Sequence, residues 1–440
     1  MESFNTIQSH HLERFKQNCR NPLSRAASLA LSKTSLNDIC YCNKASVQTP
    51  HKFSLELPCL PAQDQKNSGR CWIYSGLNLL REKIAKNLNL ETIELSANFV
   101  TFWDHLEKAN FFLESMIRYS TKSLDNRLVR WHLDNADGDG GLWELFSGLC
   151  QKYGLVPLEA MPETFQSQNT GSMNRLINRQ LRQDAMLLRK AAGEDKTLPQ
   201  LREMKSNMLE EIYNILMICL GEPPESFHFE YVDKNGVYHA DRNLTPKSFY
   251  EKYIGRNLSQ MVSLLNAPTD SKPFYRTYQY PGANSVIEAK PVTLLNLPMK
   301  DIKAALLRQL QAGEMVYFVC DSEQCENKDD GLWDEESYDF DSPFGLHFSM
   351  TKAEMMDYRV SSLDHAMVIT GVNLLDGKPT RWKAQNSWGS CGKNGYFTIS
   401  DAWFDKFVYI VTVDQKYLTE EQRKLLQQEP ILLEPWDQIA

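Results

Sequence analysis

The stretch Gln65-Lys66-Asn67-Ser68-Gly69-Arg70-Cys71-Trp72-Ile73-Tyr74-Ser75 constrains the fold most, because a polar, flexible loop runs there into an apolar repeat with a cysteine at the junction. Ile73, Leu77, Leu80 and Ile84 recur at helical spacing, which predicts a helix with one buried face and Cys71 in its first turn. Unpaired backbone N–H groups and the positive end of the helix dipole favour a thiolate at such a position, and Arg70 and Lys66 are expected to add cationic charge. A cysteine met at random is more often a buried, inert core residue. Position alone does not make it reactive; a partner does.

That partner lies far downstream. Asp364-His365-Ala366-Met367-Val368-Ile369-Thr370-Gly371 reads as a histidine leading into a short buried strand that ends at a glycine. Gln385-Asn386-Ser387-Trp388-Gly389 follows the strand-like Arg381-Trp382-Lys383-Ala384. A cysteine, a histidine and an asparagine supply what thiol acyl transfer needs: a nucleophile, a base for its proton, and an amide that orients the imidazole.

On these residues the sequence resembles a papain-fold cysteine peptidase, and more closely the bleomycin hydrolase and bacterial aminopeptidase C branch. The match runs through Gln65 to Ser75, Asp139 to Pro157, Asp364 to Gly371 and Ala384 to Phe397. By this resemblance Gln65 is the glutamine whose amide helps form the oxyanion hole, and Trp388 shields the His365–Asn386 hydrogen bond from water. Asp137-Gly138-Asp139-Gly140-Gly141 lacks the spaced acidic ligands and terminal glutamate of an EF-hand. It resembles the family's Gly-Gly segment, which implies that Gly140 and Gly141 let a substrate backbone lie close and pair as a strand. The chain departs from the general papain pattern twice. Ser68 replaces the upstream cysteine of secreted relatives, and the gap from Cys71 to His365 is about twice the ~130–150 residues of the general signature, which implies large insertions.

At 440 residues the chain exceeds the usual size of one domain, so a catalytic core with added lobes is expected. The hydrophobic fraction of 42% and charged fraction of 24% are ordinary globular values. No apolar run approaches membrane-spanning length and Met1 to Thr6 shows no secretory pattern, so a cytoplasmic protein without a membrane partner is expected. Ten scattered cysteines without paired CxxC spacing are read as reduced thiols, and no metal site or cofactor is expected. A net charge of −8 argues against nucleic acid as a partner.

The chain divides into an N-terminal arm (1–52), a papain-like helical lobe with the nucleophile (53–165), a helical, hook-like insertion (166–275), a β-rich lobe with His365 and Asn386 (276–415), and a C-terminal arm (416–440). Within these, Leu23 to Leu31 is expected to be helical and Asn43 to Lys52 a polar connector. Ser96 is an N-cap candidate for a helix through Phe99, Trp103 and Leu106, with Asp104 and Glu107 on its solvated face. Apolar stripes on either side of Gly193 to Pro199 predict a helical hairpin, and Phe227 to Tyr238 a β-hairpin. The acidic stretch Glu323 to Asp341 is expected to be a surface loop.

The expectation is therefore an α+β, papain-like cysteine peptidase, two-lobed with a β-barrel-like second lobe, acting on peptides through a thioester. The catalytic residues are Cys71, His365, Asn386 and Gln65, and the substrate-binding residues Gly140, Gly141, Trp388 and Ala440. The resemblance further implies a homo-oligomer, a hexamer, and a C-terminal arm whose Ala440 carboxylate pairs with a peptide's free amino group, giving an aminopeptidase. The ending Gln438-Ile439-Ala440 is shorter than the family's, reducing its reach by ~10 Å. An endopeptidase with an open cleft is the alternative; a cysteine acyltransferase and a non-catalytic oligomeric binding protein are further ones.

Overall fold

The computed structural model describes residues 6–18, 22–255 and 258–439. Ala440 lies outside the described residues. The periodicity after Cys71 becomes a helix, Cys71–Asn87, that buries Ile73, Leu77, Leu80 and Ile84. A second helix, Ala97–Arg118, begins where Ser96 accepts a hydrogen bond from the Phe99 N–H at 3.0 Å. Its Asp104 and Glu107 are buried rather than solvated. Asp104 pairs with Lys108, and Glu107 takes the Lys152 ammonium and the Tyr153 hydroxyl from helix Trp143–Tyr153, which packs against it.

Two long helices, Gly171–Gly193 and Leu198–Leu220, form the expected hairpin, with Thr197 and Gln200 in a capping box at the second start. Ile177, Leu181, Leu188, Ile212 and Leu216 join Phe102, Phe112 and Met116 in one apolar core. Phe227–Val232 and Tyr238–Leu244 make the expected antiparallel β-hairpin.

Twelve strands among the described residues form a single mixed sheet. At its centre Val316–Cys320 runs antiparallel to both Val408–Asp414 and His365–Leu375. Lys378–Gln385 and Tyr396–Ser400 extend one side, and Met261–Leu265 the other. The central strand is apolar throughout because both of its faces are covered. Tyr317 and Val319 face the core around the Cys71 helix, whereas Val316 and Phe318 face helices Met299–Gln311 and Asp401–Phe407. This segregation of helices and sheet is the expected α+β architecture.

Two connectors carry more structure than expected. Asn43–Gln48 is a short helix that buries Ala45. Within the acidic stretch, Leu332–Trp333 pairs in parallel with Thr398 and Ile399 and is fully buried, because its two apolar residues find a sheet edge that their acidic neighbours conceal in the sequence. Among the described residues, nine cysteines are free and no helix is long and apolar enough to cross a membrane.

Candidate active site

The Cys71 helix and the strand His365–Leu375 are locked in register by one residue, Ala366. Its N–H points at Cys71 Sγ at 3.4 Å, and its carbonyl accepts from Ser75 Oγ, one turn along the helix, at 2.9 Å. His365, the preceding residue, is thereby held at the thiol end of the helix. His365 Nε2 lies 2.7 Å from Asn386 Oδ1, which also accepts the Ser387 N–H at 2.7 Å. The backbone donor fixes which end of the amide is oxygen, so Nε2 carries the proton and the neutral ring leaves Nδ1 as the basic nitrogen. The Trp388 ring sits 4.7 Å from the His365 ring, and Lys328 Nζ lies over the same indole, 4.7 Å from its centroid.

Gln65 is tied to the asparagine segment twice. Its N–H donates to the Ser387 carbonyl at 2.8 Å, and its Oε1 accepts from Ser387 Oγ at 2.6 Å. This orients the amide nitrogen, of which one N–H donates to the Ser68 carbonyl at 2.6 Å and the second remains for a ligand. Gly140 and Gly141 line a cleft of about 440 Å³ together with Cys71 and His365. Gly141 is required by its neighbour: a Cβ there would stand 2.5 Å from the Trp72 ring, whereas one at Gly140 would meet nothing within 4 Å. Ile439, the residue before Ala440, lines the same cleft and is 3% exposed.

A family model described as the Peptidase C1-like family matches residues 6–440. The chain belongs to the Peptidase C1-like family. This C1-like chain is 42% identical over 431 residues to Aminopeptidase C of Listeria monocytogenes serovar 1/2a, spanning 98% of this chain and 97% of that one. It is 38% identical over 443 residues to Aminopeptidase C of Lactobacillus delbrueckii subsp. lactis, spanning 100% and 98%. The crystal structure of PepW from Lactobacillus rhamnosis HN001 superposes with a TM-score of 0.97 at 40% identity, covering 99% of this chain and 98% of that one.

The electrostatics of the C1-like site differ from the simple sequence expectation. Arg70 turns away from the thiol and is buried against Glu163 at 2.8 Å, and Lys66 pairs with Asp64 at 2.6 Å, so neither offers an uncompensated cation to Cys71. Burial pushes the Cys71 thiol up to about 11, although the Ala366 and Trp72 N–H groups work against it. Burial also pushes the His365 imidazole down to about 4 against the bond from Asn386. Each group taken alone is therefore neutral near pH 7.

Sequence reasoning passed over two lysines at or near this cleft in the C1-like chain. Lys108 reaches the Gly138 and Gly140 carbonyls at 2.6 and 2.8 Å, and its i,i+4 spacing from Asp104 was a visible signal. Lys272 pairs with Asp437 at 3.0 Å, two residues before Ile439 of the C-terminal arm, which was expected in the cleft and lines it. Nothing local in the sequence marks Lys272, because its partner comes from the far end of the chain.

Proposed function

We propose that the chain is a cysteine aminopeptidase in which Cys71, His365, Asn386 and Gln65 divide the chemistry of acyl transfer. The thiol proton passes to His365 Nδ1 as Cys71 Sγ bonds to the scissile carbonyl carbon. Gln65 Nε2 and the Cys71 N–H stabilise the oxyanion. Collapse of the tetrahedral adduct breaks the C–N bond, and the imidazolium gives its proton to the leaving amine. Water, deprotonated by His365, then attacks the thioester, releases the acid and restores the thiol. Asn386 keeps the ring in the tautomer this sequence of steps needs.

The observation that carries the aminopeptidase reading is the position of Ile439, buried in the cleft that Cys71 and His365 also line. A chain end there fills part of the path on the amino side of the scissile bond, leaving room for a short substrate terminus. A carboxylate at Ala440 facing a peptide ammonium makes a charge-assisted hydrogen bond in a partly desolvated site. The relatives named Aminopeptidase C match along essentially the whole chain, which supports the same reading. The endopeptidase alternative needs that path to be open. Free and N-acetylated peptides, compared with the full chain and with a variant ending at Asp437, test the reading. A strong preference for the free amine that is lost on truncation is expected; equal cleavage of both peptides by the full chain overturns it.

The same reading includes a hexamer and a cytoplasmic setting. Met186, Leu187 and Ile218 are exposed on the helical hairpin, and an assembly through that hairpin covers such apolar side chains. A reducing compartment suits a catalytic thiol. Analytical ultracentrifugation tests the assembly, and a stable monomer at micromolar concentration rejects it.

A further inference from the structure

Beneath the cleft floor lies a group of charged side chains that acyl transfer does not use. The helix Ala97–Arg118 places Asp104, His105 and Lys108 within about one turn, and all three are withdrawn from water: Asp104 is 1% exposed, His105 0%, and the Lys108 side chain 14%. Lys108 Nζ bonds at once to Asp104 Oδ2 at 2.6 Å, to the Gly138 carbonyl at 2.6 Å and to the Gly140 carbonyl at 2.8 Å. An ammonium has three donors, and this arrangement uses all three.

The rest of the loop is held from other elements. His105 Nδ1 meets both Asp137 carboxylate oxygens at 2.9 Å, and Trp72 Nε1 donates to the Asp139 carbonyl at 2.6 Å. The Asp139 carboxylate accepts the Gly69 N–H at 2.7 Å, the Asn174 amide at 2.6 Å and the Thr170 hydroxyl. Gly69 lies two residues before Cys71, so one carboxylate joins the loop, the helical hairpin and the segment entering the nucleophile. Burial works against the charge on His105, but Asp137 and Asp104 more than offset this and hold the imidazole above its ordinary value.

Two consequences follow from the position of Lys108. One lone pair of the Gly140 carbonyl is held by the ammonium, which fixes the direction in which this peptide unit faces the cleft. The loop also carries glycines whose backbone freedom would spread it over many shapes, and a single cation gathers two of its carbonyls to one point. We propose that Lys108 is a positioning residue for peptide hydrolysis, setting the Gly138–Gly141 loop at the height a bound peptide backbone requires. This inference rests on reading the Cys71 cleft as the peptide site.

The test uses the full chain with Lys108→Met, Lys108→Arg, and Lys108→Met combined with Asp104→Asn, so that no buried carboxylate is left alone. Steady-state kinetics on a short peptide with a free amine are measured together with the rate of Cys71 alkylation by iodoacetamide and the thermal midpoint. Lys108→Met and the double variant are expected to raise KM by about tenfold or more, with kcat and the alkylation rate within about threefold of the parent. Lys108→Arg is expected to recover most of the KM. A parental KM in the folded double variant overturns the proposal. So does a rise in KM accompanied by a comparable fall in kcat, in the alkylation rate and in the thermal midpoint, which marks a merely structural role. Cleavage of peptide that persists in a parent chain whose Cys71 has been fully alkylated, or no cleavage by the unmodified parent, is instead the failure of the catalytic reading.

Discussion

Lys272 and Asp437 meet 3.0 Å apart with side chains 7% and 18% exposed, an ion pair that fastens the end of the chain beside the cleft. Around it, the Tyr280 hydroxyl donates to the Pro435 carbonyl at 3.1 Å and the Arg127 guanidinium lies 3.9 Å from the Trp436 ring centroid. These polar and cation–π tethers lie before Ile439, which is itself buried in the apolar core. Lys272→Met is therefore expected to loosen Ile439 and lower the preference for free over N-acetylated peptides, with hydrolysis of the acetylated peptide rising. Parallel kinetics on the two peptides check this; an unchanged ratio means that the other tethers suffice.

Replacement of the proposed nucleophile by Cys71→Ser is expected to reduce kcat by on the order of 10⁴ or more with the fold retained, since a serine hydroxyl ionises far less readily than the thiol. Trp388→Ala is expected to cost less, because it exposes the His365–Asn386 bond without removing a reacting group. Equal losses in the two purified variants would show that the indole does more than shield.

The two loop glycines are expected to respond differently to a methyl group. Gly141→Ala drives a Cβ into the Trp72 ring and should lower stability by about 1–3 kcal/mol. Gly140→Ala meets open space, so its thermal midpoint should stay near the parent's while KM rises from crowding in the cleft. Denaturation and kinetics on both variants test the contrast, and a destabilised Gly140→Ala would contradict it.

Acid should weaken the fold through His132, whose imidazole burial pushes down to about 4 from an ordinary 6.5. Between those values the unfolded chain binds a proton that the folded chain refuses, so stability falls as pH drops through the window, by up to about 1.4 kcal/mol per pH unit. Above 6.5 the group has no effect. Phe111, Tyr119 and Trp131 surround His132, and His132→Phe is expected to flatten the dependence of the thermal midpoint on pH across this window. His365 acts in the same direction, so some slope remains.

The helix after Cys71, the Ser96 cap and the hairpin around Thr197 were legible because each depends on residues close in sequence. Cys71, His365 and Asn386 were legible through the short motifs around each of them and the family that those motifs resemble. Charged residues with distant partners were not. Asp104 and Glu107 have the spacing of a solvated face, and only the approach of the helix carrying Lys152 reveals Glu107 as half of a buried pair. Arg70 likewise stands next to Cys71 in the chain but answers to Glu163, so its charge is cancelled before it reaches the thiol. Periodicity reports which face is apolar; it is silent about which charge will be met there.

The contact between the Ala366 N–H and Cys71 Sγ spans 295 positions of sequence. During synthesis the cysteine emerges early and the histidine only near the end, so a growing chain carries a thiol with no imidazole beside it. A ribosome making this protein therefore holds an inert precursor until the last strands of the sheet are complete. The wide separation of the two groups keeps the thiol apart from its base for as long as the chain is still growing.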